Sequence, residues 1–219
     1  MKAREECATP GVRVAGSVGS YGAALSDFSE YSGAYADVVS VEEFIDWHRP
    51  RVHCLVAAGC DLLAFETIPA AREGMALIRF LREFPGTKSW LSFTTSRDAP
   101  NCTAKGEPLA AAMRDCQRAD SSGQICAVGV NCCPPDSVQA IFEKTGPLPV
   151  PFVAYPNSGE VFSSKSGWGP GPQPCRPLAG YVAEWMKLNV ALIGGCCRTG
   201  PDDIRGIAEV IKRGAAQNF

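Results

Sequence analysis

No stretch of this 219-residue chain approaches the roughly 18 to 20 consecutive apolar residues that span a bilayer, so no membrane-crossing helix is expected. The opening MKAREECATPG lacks the apolar core of a secretory signal, and the cytoplasm is the expected compartment. Charge of one sign is scarce as well. The 21 Lys and Arg against 23 Asp and Glu leave a formal net charge of −2, and the basic residues are scattered. That excludes the basic footprint demanded by a phosphate backbone or an anionic membrane, so neither nucleic acid nor membrane is an expected partner. Histidine occurs twice, at His48 and His53, both within a helical pattern and away from any strand end. A place on the helix surface, or behind a site, is expected for them. No G-x-G-x-x-G follows an apolar run, which removes support for a dinucleotide site. No polar linker or charge run divides the chain, and 46% hydrophobic content suits one domain with a substantial core.

Cysteine, by contrast, is abundant. Eleven residues are an odd number, in a chain too long for a disulfide scaffold. In a reducing compartment most cysteines serve as small buried hydrophobes, and Cys7, Cys54, Cys60, Cys102, Cys116, Cys126 and Cys175 fit that role. Two adjacent pairs, Cys132-Cys133 and Cys196-Cys197, differ in closing apolar runs.

Six such runs alternate with helical patterns: Val12–Val18, Leu62–Thr67, Ser89–Thr94, Ala127–Cys132, Phe152–Tyr155 and Ala191–Cys196. Their length and two-sided apolar character predict buried parallel strands. The first helix has a possible capping box at Ser40 and Glu43 and a stop at Gly59, while Pro50 should kink or divide it. Further helices are predicted over Ala70–Phe84, Pro108–Arg118, Ser137–Lys144, Leu178–Leu188 and Asp202–Arg213. Six successive β-α units mean an α/β fold with a parallel sheet, either open and doubly wound or a (β/α)₈ TIM-type barrel lacking two units. Glu66-Thr67, Asn131-Cys132, Asn157 and Cys196-Cys197 all sit at C-terminal strand ends. A barrel gathers those ends round one mouth, which favours the barrel.

At such a mouth, three thiolates with an open fourth position describe a catalytic zinc site rather than a closed structural one. Gly194-Gly195 would let the backbone turn both following sulfurs inward. Spacing alone leaves alternatives: the paired cysteines could pack in the core or form a vicinal disulfide. Strand alternation aims neighbours in opposite directions, so only one of Cys132 and Cys133 should face the mouth, and spacing does not say which. Asn131 could donate to a substrate or cap its strand, and Asn157 and Glu160 would line the pocket.

GVNC and GGCCRTGP resemble the zinc-ligand motifs of the homocysteine S-methyltransferase family. VAGSVGSYGA, SEYSGAY, FIDWHRPRV, LLAFETIP, WLSFTT, GEPLA and YPNSGEV follow the family in order, so the resemblance runs from about Val14 to Ile211. It extends particularly to members that use S-methylmethionine. The resemblance implies one Zn²⁺ per chain held by Cys132, Cys196 and Cys197, with Cys133 outside the ligand set. It also implies that Glu66 holds the amino group of homocysteine, with Asn131 and Asn157 as further substrate contacts. The implied reaction is methyl transfer from S-methylmethionine or S-adenosylmethionine to homocysteine. Nothing in residues 1–13 resembles the Asp-Gly-Gly segment that opens the family barrel. Those residues are expected to be an unmatched leader, and residues 14–219 an N-terminally truncated homocysteine-binding domain with six of eight units. A catalytically impaired paralogue that binds zinc or a partner is the alternative expectation.

Overall fold

The apolar runs become strands, in a computed structural model that describes residues 11–163, 165–171 and 175–216. Most of the leader expected over residues 1–13 therefore lies outside the described residues. β1 (Ala15–Gly19), β2 (Leu62–Ile68), β3 (Ser89–Phe93), β4 (Ile125–Asn131), β5 (Phe152–Tyr155) and β8 (Val190–Ile193) form one parallel sheet. Its spatial order is β1-β2-β3-β4-β5-β8, with each strand beside its chain neighbour in that sheet. A doubly wound sheet reverses direction part-way across; a monotonic order is that of a (β/α)₈ barrel wall. A short antiparallel hairpin, β6 (Val161–Ser163) and β7 (Gly167–Gly169), is inserted between β5 and β8 and has no counterpart in the predicted elements.

Helices α1 (Tyr21–Leu25), α2 (Val41–Ala57), α3 (Ala71–Leu81), α4 (Leu109–Ala119), α5 (Val138–Thr145), α6 (Ala179–Lys187) and α7 (Pro201–Ala216) connect the strands. From α2 onward each packs on the next, in a single outer layer. Strand periodicity sorts the residues between two faces. Leu63, Phe65, Leu91, Phe93, Val128 and Val130 are fully buried in the core cluster beneath the helices. Ser17, Glu66, Trp90, Ser92, Asn131 and Tyr155 share the other, concave face, where they hydrogen-bond to one another. Gly129 is required by close packing: a Cβ there would lie 1.8 Å from Val153 O on the adjacent strand.

The capping box of α2 forms as expected. Glu43 N–H donates to Ser40 Oγ (3.2 Å), and Ser40 N–H donates to Glu43 Oε2 (2.8 Å). Pro50 does not divide the helix, which runs unbroken from Val41 to Ala57. Pro50 and Asp46, whose carbonyl loses its usual donor, both lie on the exposed side, where that carbonyl is open to solvent. The last strand is shorter than predicted: it ends at Ile193, and Gly194–Cys197 leave the sheet as a loop.

Candidate metal centre

β4 ends at Asn131, and Cys132 follows with φ 53°, in the left-handed region that non-glycine residues seldom occupy. Its N–H continues the ladder to Tyr155 O (3.3 Å), and the turn separates two neighbouring thiols. Cys133 is 1% exposed inside the hydrophobic core, whereas Cys132 lies at the mouth of the concave face. On the opposite side, Gly194 N–H donates to Ala154 O (3.0 Å) and Cys196 N–H to Pro156 O (2.8 Å), carrying the β8 loop past the strand ends. A Cβ on Gly195 would lie 2.3 Å from Thr199 Oγ1, whose hydroxyl donates to Cys196 O (2.7 Å). Only glycine permits that fold-back.

One asparagine ties the two cysteine segments together. Asn157 N–H donates to Cys133 O (2.9 Å), and Asn157 Oδ1 accepts from Cys197 N–H (3.2 Å). Glu160, from the same loop, pairs with Arg198 (2.8 Å), whose guanidinium holds its carboxyl below the usual carboxylate range.

The outcome is a triad of sulfurs. Cys132 Sγ and Cys197 Sγ are 3.6 Å apart, Cys196 Sγ and Cys197 Sγ 4.0 Å, and all three lie within 4.8 Å of one another. A tetrahedral ion with metal–sulfur bonds of about 2.3 Å requires sulfurs about 3.8 Å apart. Among the described residues, no other group of three His, Cys, Asp or Glu side chains offers such a cluster. The thiols also burden one another. The Cys132 thiol is pushed far above its ordinary pKa by its hydrogen bond with Cys196 and by burial, and burial followed by the charge of Cys132 raises Cys197. Tyr31 OH stands 3.5 Å from Cys132 Sγ and is itself held protonated, chiefly by burial. Three thiolates this close need a cation between them, and thiolates select a soft, tetrahedral divalent metal. The donor set fits one.

Beside the triad, Glu66 and Thr67 sit in a β-bulge where the β2–β3 register shifts, and Thr67 has φ 59°. Ser17 Oγ and Tyr155 OH (3.1 Å) both donate to the Glu66 carboxylate. Asn131, expected to contact substrate, is 1% exposed, and its amide is engaged elsewhere. Its Oδ1 accepts from Thr67 N–H (2.8 Å) and Ser92 Oγ (2.9 Å), and its Nδ2 donates to Thr67 Oγ1 (2.8 Å). It thereby replaces the ladder bonds that the bulge removes. Trp90 Nε1 donates to Tyr155 OH (2.9 Å), completing the network. Tyr155 and Tyr31 were not singled out by sequence reasoning, although both lie in the motifs YPNSGEV and SEYSGAY.

The histidines divide. His53 is exposed as expected, but His48 is fully buried, with Nε2 2.9 Å from Glu73 Oε1. Glu73 also accepts from Tyr21 N–H (2.6 Å) and from Tyr35 OH (2.5 Å). His48 therefore belongs to a buried network behind the β1–α2 connection, not to a helix surface.

A pocket of about 760 Å³ opens at Cys132 and extends past Tyr31 and Asn157 to the hairpin. No helix among the described residues is long and apolar enough to cross a membrane.

Comparison with known proteins places this arrangement. A family model described as homocysteine S-methyltransferase matches residues 1–211. The chain is 43% identical over 197 residues to the homocysteine S-methyltransferase of Escherichia coli (strain K12), covering 89% of this chain and 61% of that protein. It is 40% identical over 197 residues to homocysteine S-methyltransferase YbgG of Bacillus subtilis (strain 168), covering 89% and 60%. Against the selenocysteine methyltransferase of Astragalus bisulcatus it is 38% identical over 213 residues, covering 95% and 61%. The crystal structure of the homocysteine methyltransferase MmuM from Escherichia coli, in its metallated form, superposes with a TM-score of 0.79 at 38% identity, covering 95% of this chain and 66% of that one. The chain thus spans about 60% of the length of the curated relatives it matches.

Proposed function

The chain belongs to the homocysteine S-methyltransferase family, and from that premise we propose that it moves a methyl group from a sulfonium donor, S-methylmethionine or S-adenosylmethionine, to homocysteine, giving methionine. Cys132, Cys196 and Cys197 would hold one zinc ion. The observation that carries the reading is the sulfur triad, whose spacing suits a three-thiolate site with its fourth position open.

A free thiol has a pKa near 8.5, so little of the acceptor is nucleophilic at neutral pH. When bound in the triad, zinc would supply Lewis acidity that favours the acceptor sulfur as thiolate. The protein's own residues do the rest. Three cysteinates outweigh a divalent charge and leave the mouth anionic, which attracts a positively charged donor. Glu66, oriented by Ser17 and Tyr155, receives the ammonium group of homocysteine and aligns its sulfur with the triad. Asn131 acts through the bulge, holding Thr67 and hence the direction of Glu66. Asn157 holds Cys197 against the Cys133 segment. The acceptor thiol gives up its proton to solvent before transfer. A carbon–sulfur bond then forms at the acceptor as the donor's breaks, and the electron pair of the broken bond stays on the donor sulfur as a neutral thioether.

The test is methionine formation from homocysteine and S-methylmethionine before metal removal, after it, and after zinc is returned. Loss with the metal and recovery with zinc are expected. Equal rates in all three states, or no methionine from zinc-loaded protein, would contradict the reading.

A further inference from the structure

The pocket at Cys132 has a wall that neither the triad nor Glu66 uses. Phe28, from the loop after α1, lies 6.1 Å from Phe162 between ring centroids, and Phe162 lies 5.5 Å from Trp168 across the β6–β7 hairpin. All three line the pocket. Phe28 is 51% exposed and has φ 64°, a backbone state that costs energy in a residue with no polar group to gain from it. Two acceptors on the same pocket are left without donors: Glu30 Oε2 and Asn101 Oδ1 are buried, and neither has a hydrogen-bond partner among the described residues. A buried carboxylate oxygen without a partner is costly, and a cation beside it removes the cost. Of the other charged residues lining the pocket, Glu160 is neutralised by Arg198, Asp136 is exposed and acidic, and Arg97 is exposed.

Aromatic faces and a carboxylate oxygen without a donor, lining one pocket, together recognise a cation that need not donate a hydrogen bond. A sulfonium is such a cation, since its charge is spread over carbon-bound hydrogens. We propose that Phe28, Phe162 and Trp168 together with Glu30 form the subsite for the cationic methyl donor, an assignment that rests on the methyltransferase reading above. The subsite then tells donor from spent donor by charge. The sulfonium is held by the rings and by Glu30, and the neutral thioether left after transfer loses both attractions and departs.

Equilibrium binding to the zinc-loaded chain tests this without turnover. Isothermal titration would compare S-methylmethionine with methionine, its neutral thioether counterpart. The variants are Trp168→Ala, Glu30→Gln and the ring-conserving Trp168→Phe, each checked for zinc content and melting. Trp168→Ala and Glu30→Gln should weaken S-methylmethionine binding by roughly tenfold each. Methionine binding should be unchanged, and Trp168→Phe should retain most of the donor affinity. A loss that affects both ligands equally, or no loss in any folded variant, would overturn the subsite. The two readings fail separately. Charge-selective donor binding that depends on Trp168 and Glu30, without methionine formation, would reject the transfer reaction and leave the subsite. Zinc-dependent methionine formation with an unaltered donor KM in Trp168→Ala and Glu30→Gln would reject the subsite alone.

Discussion

Cys132 and Cys133 show how one backbone angle sorts two identical side chains. Their sequence says that they face apart but not which faces the mouth. The left-handed turn at Cys132 sends its sulfur to Cys197 and leaves Cys133 in the core. Glu66 was legible as a strand-end carboxylate. Its orienting partners were not, because Ser17 and Tyr155 are brought to it across strands 49 and 89 positions away. Removing its charge while keeping its shape separates binding from architecture. Glu66→Gln should lower kcat/KM for homocysteine by about 1.5 to 3 kcal/mol in activation free energy and leave zinc content unchanged. Unaltered homocysteine kinetics would return Glu66 to a structural role. Asn157, expected to touch substrate, also holds Cys197 from outside the ligand set. Partners of this kind typically contribute 10- to 100-fold in metal affinity, so Asn157→Ala should weaken zinc binding by about that factor in competition with a chelator. Full affinity in the variant would mean that the Cys197 loop holds itself.

Among the elements, those with strong periodicity or end signals were readable. α2 begins at its capping box, and β5 occupies the predicted Phe152–Tyr155. The β6–β7 hairpin was not readable, since its strands are three residues each and carry no sustained alternation. It matters because it supplies the Phe162 and Trp168 rings. Cys116 illustrates the bland use of cysteine. Fully buried in α4, it packs where a Cβ on Gly74 of α3 would lie 3.2 Å from its sulfur. Burial raises its thiol pKa well above that of a free thiol. The folded form therefore keeps a proton that the unfolded chain releases above about pH 9. Stability from this group is complete below that pH and is lost as the pH rises further. Melting temperature should fall from pH 9 upward, and Cys116→Ala should show a shallower fall from a lower starting point. Parallel slopes for the two proteins would exclude Cys116 as a contributor.

At the scale of the whole molecule, strand count alone left two architectures open, and the clustering of polar residues at strand ends favoured one. The monotonic strand order decides for the barrel wall, because it lays the ends of β4, β5 and β8 side by side. That adjacency brings sulfurs 64 and 65 positions apart in sequence to one point. A zinc ion there would link the ends of two strands that are not paired with each other in the sheet, and should stabilise the fold as any ligand of the native state does. The central claim is the identity of the three ligands, and zinc content per chain measures it most directly. The wild type and Cys133→Ala should each bind about one zinc and melt at a higher temperature with the metal than without it. Cys132→Ala, Cys196→Ala and Cys197→Ala should each lose the metal and the shift in melting temperature. Loss of zinc from Cys133→Ala with retention by Cys132→Ala would contradict the account.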